Sequence, residues 1–147
     1  MKLSTRTRYG TRALLELALR KDEGPVFLKD IARQQQISLP YLEHLIAPLI
    51  AGGIIRSTKG PRGGISLVRN PGEIKLSEIV RLLEGPVAPV ECVDHPEVCQ
   101  RSVDCATRDV WCRLKEAMDG VLESTTLKNL AEQQKQKGKS ESSMYYI

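Results

Sequence analysis

The sequence of 147 residues is poor in aromatics, with six in all, and has only two histidines, His44 and His95. No run approaches the ~18 consecutive apolar residues of a membrane span. The opening MKLSTRTRYGTRALLELALRK is basic, but Arg12 and Glu16 interrupt its apolar positions, so it does not read as a signal peptide. There are no internal repeats. Neither histidine has a serine or carboxylate partner at the spacing of a catalytic motif, and an enzyme is not expected. The four cysteines contain no pair two to four residues apart, which argues against structural zinc. A chain of this length can bury a core without covalent staples. A cytoplasmic protein of one domain is expected, and in a reducing compartment thiols suggest metal or redox chemistry before disulfides.

What is present divides in two. Residues 1–70 carry 12 Lys and Arg against 5 Asp and Glu, whereas residues 71–147 carry 10 against 13. A basic half joined to an acidic half points to an anionic partner for the first half.

Tyr9, Ala13, Leu14, Leu17 and Ala18 recur at helical spacing, and KDEGP ends that helix with a glycine and a proline. LKDIARQQQ reads as a short second helix. Ser38 is placed to cap a third, with Pro40 in its first turn, where a missing N–H costs little. In that helix Leu42, Leu45, Ile46, Leu49 and Ile50 form one apolar stripe, leaving Pro40, Glu43, His44 and Ala47 on the opposite face. Pro48 should kink it late, and Gly52 and Gly53 end it. IIRST and ISLVR then flank KGPRGG, residues 59–64, as a hairpin with a basic, glycine-rich tip. A helix-turn-helix followed by such a hairpin is a winged helix. KLSEIVRLLEG, residues 75–85, is a further amphipathic helix, with Ser77 a candidate cap. After the cysteines, Val110, Leu114, Ala117, Met118, Val121 and Leu122 make an apolar stripe over about 108–124. LKNLAEQ forms a last short helix, and the polar tail from 131 to 147 reads as flexible.

This arrangement places a recognition helix in the DNA major groove, with Ser38, Pro40, Tyr41, Glu43 and His44 at or near its exposed N-terminal end. Glu43 can accept from a cytosine amino group, and Ser38 can meet phosphate or base. In the wing Arg56, Lys59 and Arg62 are cationic, while Gly60, Gly63 and Gly64 let backbone approach a groove closely. KGPRGG is no nucleotide-binding loop, because its lysine precedes the glycines and no helix follows.

All four cysteines lie in ECVDHPEVCQRSVDCATRDVWC, spaced C-x6-C-x5-C-x6-C. A flexible loop with such spacing can wrap an iron–sulfur cluster, whose ligands converge from several directions. Redox-active thiols are the other chemistry open to it.

MKLSTRTRYGTRALLELA, IARQQQISLPYLEHLIAPL, TKGPRGGISL and LSEIVRLLEG, followed by the cysteine loop, together resemble the IscR/NsrR-type winged-helix regulators of the Rrf-two family. The likeness covers about residues 1–130. It implies a bacterial transcription regulator acting as a homodimer on double-stranded DNA, with the helix after the loop pairing between subunits. It also implies that Cys92, Cys99 and Cys105 hold an iron–sulfur cluster of two-iron or four-iron type. The sequence departs from the family pattern in its first gap, x6 rather than x5. It has Arg108 where IscR-like members place a histidine, and Thr7-Arg8-Tyr9 where NsrR-like members place a carboxylate. The fourth ligand therefore stays open among Cys112, His95 and a residue of the partner subunit.

The expected fold is mostly α with a small β wing: a winged helix-turn-helix DNA-binding region over 1–84 and a cysteine-rich loop over 85–107. A dimerisation helix with a short terminal helix takes 108–130, and a tail 131–147. The expected function is transcriptional regulation sensing iron–sulfur status, redox or nitric oxide. The alternatives are a cluster-free regulator of the same fold answering a small molecule or partner protein, and an iron–sulfur electron carrier.

Overall fold

The structure is a computed structural model that describes residues 2–144. Helix α1 (Thr5–Leu19) begins earlier than its apolar pattern suggests, because Ser4 caps it by accepting from the Thr7 N–H. It buries Ala13, Leu14, Leu17 and Ala18. Helix α2 (Leu28–Gln35) closes on Gln36 in the left-handed region at φ 55°, and α3 (Leu39–Ala51) follows at once. Ser38 caps α3 and Pro40 lies in its first turn, as the sequence pattern requires. The helix runs through Pro48 and ends at Gly52, with Gly53 at φ 73°.

The wing pairs β1 (Ile55–Thr58) antiparallel with β2 (Gly64–Leu67), Arg56 opposite Ser66 and Thr58 opposite Gly64. Val26 bridges the other side of β2 at Ile65, tying the hairpin back to the α1–α2 connection. Gly63 and Gly64 serve this packing. A side chain on Gly63 would run into the Thr58 carbonyl, and one on Gly64 into the Val26 backbone.

Helix α4 (Leu76–Leu83) starts one residue before Ser77, so Lys75 holds the cap position and Ser77 lies inside the first turn. The cysteine region is not wholly a loop. It contains a single turn of helix, α5 (Glu91–Asp94), and a tight turn at Pro96–Val98. Helix α6 (Ala106–Ser124) begins two residues before the expected boundary, and α7 (Leu127–Met144) follows.

One core joins these elements. Leu14, Ile31, Leu42, Leu49, Ile54, Ile55, Ile65, Ile74, Ile79 and Leu127 are buried together, each contributing ~1.5–3 kcal/mol of burial. Ile50, expected in the α3 stripe, is instead 39% exposed at the end of the helix. The tail also differs from expectation, since α7 continues through residue 144 rather than fraying after 130. Leu127 and Ala131 fix its start in the core, and the Glu, Gln and Lys that follow are good helix formers. The last three residues of the expected tail lie outside the described residues.

Candidate nucleic-acid interface and cysteine loop

In α3 the apolar stripe turns inward and Pro40, Glu43, His44 and Ala47 lie exposed along the opposite side. Ser38 Oγ accepts from the Tyr41 N–H at 3.3 Å, which leaves its hydroxyl proton available to a further acceptor. Tyr41 is half-buried. Its ring meets the edge of Tyr9 on α1 with centroids 6.3 Å apart, and Arg12 stands over Tyr9 at 5.4 Å. The start of the candidate reading helix is therefore positioned by α1. Sequence spacing gave no sign of this, because the two tyrosines meet only through folding.

At the wing, Arg56, Lys59 and Arg62 are exposed, and Arg56 Nε points to Ser66 Oγ across the hairpin at 3.4 Å. Among the described residues none of these three cations has an ion-pair partner, so their charge is open to an external anion. Gly60, at φ 105°, shapes the tip. Gly63 and Gly64 are accounted for by the packing of the hairpin itself.

The thiols occupy different settings. Cys92 lies in α5, Cys99 follows the turn at 96–98, Cys105 holds the N-cap position of α6, and Cys112 lies within that helix. All four are free and half-buried. The Cys105 thiol is held below its usual pKa, first by the Thr107 hydroxyl 3.1 Å away and then by the Arg108 N–H. His95 pairs at 3.2 Å with Glu97 on an exposed turn. Arg108 donates from Nε to the Cys92 carbonyl at 2.8 Å, fastening the loop to the first turn of α6. Lys115 adds a second tie, 4.0 Å from Asp94 and 2.7 Å from Asp119.

The chemistry of the three loop thiols suits an iron–sulfur cluster, for which thiolate is the preferred ligand. Their placement is not that of a formed site: among the described residues no three His, Cys, Asp or Glu side chains converge on a metal position. Binding would require the segment from Cys92 to Cys105 to draw together. No described helix is long and apolar enough to cross a membrane.

Helix α6 buries none of its residues fully. Val110, Trp111 and Val121 are exposed, while Leu114, Met118 and Leu122 are half-covered. A crevice of about 650 Å³ runs beside it, between Leu3, Pro86, Val87 and Ala88 on one wall and Met118 and Val121 on the other.

The family model Rrf2, described as an iron-dependent transcriptional regulator, matches residues 3–133. The transcriptional regulator CymR of Bacillus subtilis (strain 168) is 41% identical over 147 residues, the whole of both chains. IscR of Xenorhabdus nematophila is 37% identical over 134 residues, 91% of this chain and 81% of its own. The solved structure of B. subtilis CymR, described as the global cysteine regulator, is similar with a TM-score of 0.79, covering 90% of this chain and 97% of that one. The chain belongs to the Rrf2 family of winged-helix, DNA-binding transcriptional regulators and is not an enzyme.

Proposed function

We propose that this regulator acts as a homodimer whose DNA affinity is set by an iron–sulfur cluster on Cys92, Cys99 and Cys105. One observation carries the reading: three free, half-buried thiols lie on the single segment that joins the DNA-reading region to α6. A bound cluster would supply a group sensitive to redox state and to small ligands such as nitric oxide. The chain's own part is to present thiols and to pass a change in the loop to its two ends. DNA contact is assigned to Ser38, Pro40, Tyr41, Glu43 and His44 on α3, and to Arg56, Lys59, Gly60 and Arg62 in the wing. The exposed apolar positions of α6 support pairing with a second copy.

A second reading has its own support. The thiols do not converge, and a relative 41% identical over the full chain is described as a cysteine regulator. That reading is a cluster-free regulator of the same fold, answering a sulfur metabolite or a partner protein.

Anaerobic purification, a visible absorption spectrum, and iron and sulfide analysis separate the two. Charge-transfer absorption with stoichiometric iron and sulfide is expected. A colourless, iron-free protein that still binds operator DNA, and that cannot be reconstituted, would overturn the cluster in favour of the second reading.

A further inference from the structure

The first turn of α1 contains no acidic residue, so the positive end of its dipole has no anion of its own. Glu84, far along the chain, supplies one. Its carboxylate accepts from Ser4 Oγ at 2.6 Å, from the Ser4 N–H at 3.1 Å and from Thr7 Oγ1. Ser4 is at the same time the cap of α1, accepting from the Thr7 N–H at 3.2 Å. Among the described residues Thr7 is the one polar side chain that is fully buried. These bonds, those of Ser4 first and Thr7 next, hold the Glu84 carboxyl below its usual pKa. Beside them Arg6 Nε donates to the Leu83 carbonyl at 3.1 Å. Gly10 leaves room for the Leu83 side chain, since a methyl group there would lie 2.5 Å from Leu83 Cδ1.

Glu84 stands at a junction. It is the C-cap of α4, and Gly85 at φ 83° turns the chain out of the helix toward α5 and Cys92. The segment bearing Cys92, Cys99 and Cys105 is thus fastened to α1 through Glu84 at one end. Around Cys92 it is also fastened to α6, through Arg108 to the Cys92 carbonyl and Lys115 to Asp94. A rearrangement of the thiols pulls on both attachments. On its far side the same part of α1 carries Tyr9, which sets Tyr41 at the start of the candidate reading helix.

We propose that Glu84 is a positioning residue, the joint through which the conformation of the cysteine loop reaches α1 and, by way of Tyr9 and Tyr41, the DNA-reading face of α3. This deepens the proposed function and rests on it for the nature of the signal, but the joint itself requires neither cluster nor DNA. Loss of a staple that only holds the fold would lower stability in every loop state alike. A joint makes the first turn of α1 respond to the loop.

The test uses the full chain without iron, its thiols either free or blocked with N-ethylmaleimide. The bulky adducts on half-buried sulfurs force the loop to rearrange. Amide hydrogen exchange is then followed at Thr7 and Arg8 in α1 and at Tyr41 and Leu42 in α3. Blocking should change protection at these amides by about tenfold in the parent chain and by less than about twofold in Glu84→Gln, with partial recovery in Glu84→Asp. Ser4→Ala removes one of the three bonds and also the cap bond to the Thr7 N–H, so it is read at Arg8, Tyr41 and Leu42; it should give an intermediate response there and decides the matter if Glu84→Gln fails to fold. An equal response in parent and variants, or no response at α1 in the parent, would overturn the proposal. Because the chain is iron-free throughout, failure of the cluster reading leaves this result intact.

Discussion

At the scale of single residues, Glu43 is the informative side chain of α3. It lies exposed on the face of α3 proposed to meet DNA, where an acid would be repelled unless it accepts a hydrogen bond from a base. Glu43→Ala is expected to relax base preference by about 1–3 kcal/mol at one position while leaving non-specific affinity equal or higher. Titration against operator and scrambled duplexes measures this, and an unchanged ratio would take Glu43 out of the interface. Cys112 is the second informative position. Helix α6 begins at Ala106, which sets Cys112 ~10 Å along the axis from Cys105, far for both to grip one small cluster. Alanine at Cys92, Cys99 or Cys105 should abolish anaerobic reconstitution, and Cys112→Ala should retain iron and sulfide at the parent level. Loss of iron in the last variant would mean that the first turns of α6 unwind on loading.

At the scale of elements, α6 behaves unlike the other long helices. α1 and α3 bury their apolar stripes, apart from Ile50 at the end of α3, whereas α6 leaves Val110, Trp111 and Val121 in solvent at 51%, 37% and 64% exposure. Each forgoes a part, roughly half, of the ~1.5–3 kcal/mol that full burial contributes, which pairing with a second α6 would recover. Val121 is the position to change, because its exposure means that the fold of the monomer does not depend on it. Val121→Asp is expected to give a folded monomer by light scattering and to lose operator binding. A dimer of undiminished affinity in that variant would place the subunit contact elsewhere.

At the scale of the whole molecule, charge and architecture coincide. The excess of Lys and Arg lies within residues 1–70, which form α1, α2, α3 and the wing. Binding should therefore be strongly salt-dependent, falling by orders of magnitude between about 50 and 200 mM salt, as released counterions require. Arg62→Ala should weaken binding to all duplexes alike and lower the slope of log affinity against log salt by about 1. An unchanged slope would mean that the wing tip does not reach a phosphate.

The sequence alone determined the helix-turn-helix, the wing and the amphipathic helices, because their signals are local. Ser38 caps from three residues away, Leu42, Leu45, Ile46 and Leu49 repeat at the helical period, and Gly52 and Gly53 stop the helix beside them. The four cysteines were equally legible, since their chemistry needs no neighbour to announce it. Tertiary structure decided what depends on residues distant in the chain. It gave Gly63 to the close packing within the hairpin and Gly64 to the packing of the hairpin against Val26, and it carried α7 past the expected tail by burying Leu127 and Ala131. It also brought Tyr9 to Tyr41 and turned Arg108 from a missing ligand into a tie on Cys92. The Glu84 carboxylate reached the cap of α1 in the same way. Such pairings lie up to 80 positions apart, as between Ser4 and Glu84. No periodicity or motif encodes them, because they exist only where the core brings the ends of separate helices together.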